Sequence, residues 1–134
     1  MRSYAYFARS SFASSKLKKP ISSELGSVTP VVITPGPYSE KELSFMAENV
    51  STMVVNNGSC NCNAGKMLVT SKQWPQREAF LAKLRAVLSA QPPRKAYYPG
   101  AFDRFEKLTS GRDAVRLGEA SDKQLPWTLI PDLD

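Results

Sequence analysis

A run of β-branched residues fenced by proline, followed at once by a long helical repeat, constrains what this chain can fold into. Val31-Val32-Ile33 lies between Pro30 and Pro35, with the length and branching of a buried strand. Gly36 and Pro37 then turn the chain, and Ser39 with Glu42 three residues later has the form of a capping box, in which each side chain takes up an amide at the helix start. Leu43, Met46, Ala47, Val50, Met53 and Val54 follow at helical spacing. Asn56-Asn57-Gly58 predicts the end of that helix, because Asn and Gly accept the left-handed backbone that closes one. Met67 to Thr70 reads as a second strand. Pro75 opens a second helix, with Phe80, Leu81, Leu84, Val87 and Leu88 on one face, and Pro92-Pro93 stops it.

Strand, helix, strand, helix is the order of a parallel sheet, whose neighbouring strands are joined by crossovers. The expected fold class is α/β, a partial parallel sheet with covering helices. A weaker helical stretch from about Phe102 to Leu108 ends near Gly111, and Trp127 to Ile130 reads as one more strand. Gln91 to Gly100 is expected to be a loop within the domain, since the apolar pattern resumes beyond it.

A length of 134 residues with 42% hydrophobic content matches one domain with a modest core. No run of about 18 apolar residues occurs, so no segment is expected to cross a bilayer as a helix, and a soluble protein is expected. The net charge of +6 at first looks like a nucleic-acid signal. However, Arg2, Arg9, Lys16, Lys18 and Lys19 all precede the first acidic residue, Glu24, and these five account for all but one unit of it. A folded basic face needs its cations on ordered elements, so no specific nucleic-acid partner is expected.

Residues 1–19 form a basic, Ser-rich segment with Tyr4, Tyr6, Phe7 and Phe12 and no acid. That composition fits an organellar transit peptide, a solvated tail, or a start placed inside a longer reading frame. The expected location is intracellular: cytoplasm, or mitochondrion or plastid if the segment is a transit peptide. Nothing else points to secretion, so the sequons at Asn49 and Asn57 carry no weight.

Asn56-Asn57-Gly58-Ser59-Cys60-Asn61-Cys62-Asn63-Ala64-Gly65 sets two thiols in a polar loop of small residues between a helix and a strand. A thiol is the better nucleophile as thiolate, and with an ordinary pKa near ~8.5 it needs nearby amides or positive charge to reach that form at neutral pH. Small neighbours let backbone amides approach a reacting carbonyl oxygen. The bland reading is a pair of packing residues. Cys60 and Cys62 are too close for an easy bridge, and Cys-x-Cys gives a metal only two ligands in a chain without histidine, so no metal is expected. Histidine-assisted nucleophiles are excluded within this chain for the same reason. Lys66 reads as a solvated charge. Tyr97 and Tyr98 beside Arg94 read as anchors of an irregular loop, with ligand contact as the alternative.

Upstream stands Lys19-Pro20-Ile21-Ser22-Ser23-Glu24-Leu25-Gly26-Ser27-Val28-Thr29-Pro30-Val31-Val32. Together with the cysteine loop it resembles the aldehyde dehydrogenase superfamily, in which a Glu-Leu-Gly segment leads through a Pro into an apolar strand. A helix and an Asn-x-Gly-x-x-Cys-x-Ala loop follow. Glu24-Leu25-Gly26 is similar to the first motif and Cys62-Asn63-Ala64 to the end of the second. The spacing departs by one residue, because the position three after Gly58 is Asn61. Anchoring on Cys-x-Ala selects Cys62 over Cys60. The specific motifs cover about Lys19 to Thr70. Trp74 to Arg77 and Arg94 to Gly100 resemble the later catalytic domain of divergent, longer members more loosely, without a role to transfer.

The resemblance implies oxidation of an aldehyde to a carboxylic acid with NAD or NADP as acceptor. In that scheme the Cys62 thiolate attacks the carbonyl, hydride leaves to a nicotinamide, and water activated by Glu24 hydrolyses the thioester. Residues 20–134 are then a partial catalytic domain, a fragment whose activity in isolation is doubtful. No glycine-rich strand-to-helix turn precedes Glu24, and the family's upstream oxyanion-hole asparagine and its later glutamate motif are missing too. Gly26 is the single candidate cofactor contact. Expected partners are the aldehyde, a nucleotide-binding portion supplied separately, and further copies of the chain through a sheet edge. The alternative is a non-enzymatic interaction module with inert cysteines.

Overall fold

A computed structural model describes residues 27–133. Glu24, Gly26 and the basic segment 1–19 lie outside the described residues. Strand β1 (Thr29–Ile33) leads into helix α1 (Glu40–Val55), and a 3-10 turn at Asn56–Ser59 carries the chain to β2 (Gly65–Thr70). Helix α2 (Arg77–Ala90) and a two-residue strand β3 (Arg94–Lys95) follow. Helix α3 (Ala101–Thr109) then precedes the short strands β4 (Val115–Leu117), β5 (Gln124–Leu125) and β6 (Trp127–Leu129).

The expected parallel pair is present. β1 and β2 run parallel with Val31 opposite Leu68, Val32 opposite Val69 and Ile33 opposite Thr70, joined by α1 as the crossover. Helix α1 begins where the capping box places it. The Ser39 hydroxyl accepts from the Glu42 amide (3.3 Å), and the Glu42 carboxylate accepts from the Ser39 amide (2.8 Å) and hydroxyl (2.7 Å). These bonds hold Glu42 below its ordinary pKa, the hydroxyl contributing most and the backbone amide next.

Leu43, Ala47 and Val50 of α1 meet Phe80, Leu84 and Leu88 of α2, with Trp74, Leu117 and Trp127 completing the buried cluster. Val31, Ile33 and Leu68 pack against it from the sheet. Lys83 ties the helices outside the core, 2.9 Å from Glu40 and donating to the Ser44 hydroxyl (3.2 Å).

The remaining strands correct the expectation of a single parallel sheet. β3 pairs with β5 and β4 with β6, each antiparallel and each a separate two-stranded sheet. The segment Gln91 to Gly100 therefore contains a strand. Helix α2 starts at Arg77, because Trp74 and Gln76 are engaged elsewhere. The Trp74 indole donates to Gly36 O (3.0 Å), and the Gln76 side chain accepts from Tyr38 N (2.9 Å) and donates to Tyr38 O (2.7 Å). The helices cover one face of the β1–β2 pair only. On the other face, Val32 is 64% exposed, Met67 47% and Val69 43%. No described helix is long and apolar enough to cross a membrane.

Candidate functional site

The two thiols sit where the crossover returns to the sheet. After α1, Asn57 (φ 47°), Gly58 (φ 62°) and Ser59 (φ 61°) are successively left-handed. Asn and Gly accept that backbone, whereas for Ser59 it costs about 1–2 kcal/mol. The two cysteines that follow differ in exposure. Cys60 is half-buried with its thiol 3.4 Å from Gly58 O, while Cys62 is exposed. The amides of Cys60 and Ala64 donate to Asn57 O (3.1 Å) and Asn61 O (3.2 Å), which removes both from the donors open to a carbonyl oxygen.

Five side-chain hydrogen bonds hold the segment around Cys62. Asn57 Nδ2 donates to Asn61 Oδ1 (2.9 Å), and Asn61 Nδ2 donates to Asn56 Oδ1. Lys66 Nζ donates to Asn61 O (2.7 Å) and Ala64 O (3.1 Å). Thr29 Oγ1 donates to Cys62 O (2.7 Å), fixing the loop to the first residue of β1. The β1–β2 register pairs Thr29 with Gly65 and then Pro30 with Met67, leaving Lys66 as the extra residue of a bulge. Lys66 is exposed, as a solvated charge would be, and its ammonium also bridges carbonyls on either side of Cys62. Spacing gave no signal for it, because the bulge is a property of the pairing.

Arg94, grouped with Tyr97 and Tyr98 in the sequence, stands in the fold beside the thiol turn. Its Cβ lies 3.7 Å from where a Cβ on Gly58 would sit, so β3 runs beside the turn that carries Cys60. The aromatic reading changes accordingly. Tyr97 and Tyr98 are about half exposed (52% and 51%), so they do not anchor the loop in the core. The cation over the Tyr98 ring is Arg104, at 5.3 Å.

The described residues do not fit a nicotinamide dinucleotide. The turn from β1 into α1 is Thr34-Pro35-Gly36-Pro37, in which two prolines lack the amide that would face a phosphate. A Cβ on Gly36 would lie 3.0 Å from the Tyr38 ring, so the glycine is closed over by its neighbour. The start of α1 already holds Glu40 and the capping carboxylate of Glu42, which repel a pyrophosphate. Among the described residues no three His, Cys, Asp or Glu side chains converge as metal ligands.

The geometry thus gathers Lys66, Thr29 and the Asn56, Asn57 and Asn61 side-chain amides around the loop that carries Cys60 and Cys62. Comparison with known proteins finds no family model, no curated protein and no solved structure that matches this chain.

Proposed function

We propose that this chain performs thiol chemistry on aldehyde carbonyls within an aldehyde dehydrogenase-type oxidoreductase, with Cys62 as nucleophile and Glu24 as proton acceptor. One observation carries the reading: the hydrogen bond from the Thr29 hydroxyl to Cys62 O, at 2.7 Å. It ties the thiol loop to the head of β1, and Glu24 stands five positions before Thr29 in the sequence. In the sequence the two motifs of the resemblance are 38 positions apart, and Glu24 lies outside the described residues.

In the step this chain performs, the Cys62 proton passes to solvent and the sulfur bonds to the carbonyl carbon, with Glu24 acting later as the base that activates the hydrolytic water. The carbonyl π pair moves to oxygen, which is then protonated to give a thiohemiacetal with no net oxidation. The loop's contribution is position: Lys66 and Thr29 hold the backbone on both sides of the thiol while the sulfur stays open to solvent. Hydride acceptance is the chemistry of NAD or NADP, and this reading assigns it to a nucleotide-binding portion outside the described residues.

The test is protection by substrate. A saturating simple aldehyde is expected to slow alkylation of Cys62 and leave Cys60 unchanged. Equal protection of both thiols, or none, refutes the assignment. The uncovered face of β1–β2 favours a second reading, a non-enzymatic interaction module with inert cysteines. In that case aldehyde has no effect on either thiol.

A further inference from the structure

Helix α3 is amphipathic but contributes nothing to the core. Ala101, Phe102, Phe105, Leu108 and Thr109 recur at the spacing of one helix face, and Asp103, Arg104, Glu106 and Lys107 occupy the other. Such an apolar face is normally buried, yet no residue of this helix is buried and none joins or packs on the core cluster. Phe102 is 45% exposed and Leu108 54%. Phe105 is half-buried, with the Arg116 guanidinium 5.7 Å from its ring centroid. The open rings of Tyr97 and Tyr98 stand just ahead of the helix and extend the apolar patch.

The net charge of the fold falls on the same stretch. From Arg94 to Arg116 there are six cations, Arg94, Lys95, Arg104, Lys107, Arg112 and Arg116, all of them exposed, against three acids, Asp103, Glu106 and Asp113. The other described residues carry seven charges of each sign, so this stretch holds the whole positive excess of the described fold.

We infer that this patch docks on an anionic lipid surface. Helix α3 lies along the headgroups with Phe102 and Leu108 in the acyl boundary, and the surrounding cations face acidic phospholipids. Tyrosine rings are favoured at that depth. Charge complementarity selects this occupant, because a second copy would set two like-charged patches against each other. A single-stranded nucleic acid is the poorer fit, since Leu108, the more exposed of the two apolar side chains, offers no plane on which a base could stack. The inference does not depend on the aldehyde chemistry.

Co-sedimentation of the full-length chain with phosphatidylcholine vesicles, with and without phosphatidylserine, tests it. Binding is expected only to the vesicles containing phosphatidylserine, and it should fall as salt is raised. Phe102→Ser with Leu108→Ser is expected to weaken binding several-fold while circular dichroism stays unchanged, because neither side chain supports the core. Lys95→Glu with Lys107→Glu, both on exposed positions, is expected to weaken it by more than about tenfold. No binding to either vesicle, or equal binding to both, overturns the inference. Binding that survives both pairs of substitutions also overturns it, since the basic segment 1–19 is then the contact. Tighter binding to a single-stranded oligonucleotide than to the vesicles, lost in the same variants, overturns it in favour of a nucleic-acid partner.

Discussion

Gly65, the first residue of β2, is buried where α1, β1 and the thiol loop meet. A Cβ built there falls 2.8 Å from Val31 Cγ2 and 3.5 Å from Met53 Cβ. Carbon contacts settle at about 3.5–4.0 Å, so Val31 has to retreat by roughly 0.7 Å or more. Its branched side chain has few rotamers to retreat into, and it packs on the core cluster. Gly65→Ala is therefore expected to cost about 1–3 kcal/mol. For a domain of this size that lowers Tm by roughly 4–8 °C per kcal/mol. Thermal unfolding by circular dichroism measures the loss, and a double-mutant cycle identifies its cause. Val31→Ala removes the clashing methyl, so Gly65→Ala is expected to cost far less in that background than in the parent. Equal cost in both backgrounds, or an unchanged Tm for Gly65→Ala alone, refutes the argument that close approach at Val31 is what keeps this position a glycine.

Glu42 is held below its ordinary pKa by the Ser39 hydroxyl and amide. A carboxyl depressed in the folded state stabilises above its unfolded pKa and loses that contribution as pH falls from about 4.3 through the lower folded value. Glu42→Gln is accordingly expected to flatten the acid limb of the stability–pH curve, and an unchanged limb counts against the capping box. Ser51 is fully buried on α1 and its hydroxyl has no hydrogen-bond partner among the described residues. Ser51→Ala should then raise stability, by about 1 kcal/mol, in a denaturant titration, and a loss means that the hydroxyl is satisfied. Lys66→Met is expected to alter the alkylation rate of Cys62 and leave Cys60 as it was, with Lys66→Arg intermediate. No change at Cys62 removes Lys66 from the loop's support.

What the sequence revealed about the fold was whatever is set locally. The capping box of Ser39 and Glu42, the spacing from Leu43 to Val54 and the branched run at Val31 each act within one element, and α1, β1 and β2 appear where they predict. What escaped is set by distant partners. Gln76 opens α2 late because its amide is taken by Tyr38, 38 residues earlier. Strands of two or three residues, such as Arg94–Lys95 and Val115–Leu117, exist only through their pairing with Gln124–Leu125 and Trp127–Leu129. Val32 looked buried because branched residues in parallel strands usually are, and its exposure depends on what covers a face.

In the site, the polar loop was legible from its small residues and flanking Asn, but the difference between its two thiols was not. Three consecutive left-handed residues lead into the thiols, and Lys66 enters the loop only through a bulge fixed by the register of β1 on β2.

As the proposed nucleophile, Cys62 has to be the more reactive of the two thiols in the folded chain. Iodoacetamide labelling of Cys60 and Cys62, resolved by mass spectrometry in native buffer and in denaturant, tests it most directly. Native Cys62 is expected to label faster than native Cys60 and faster than Cys62 in the unfolded chain. Equal rates for both thiols, unchanged by denaturant, contradict it.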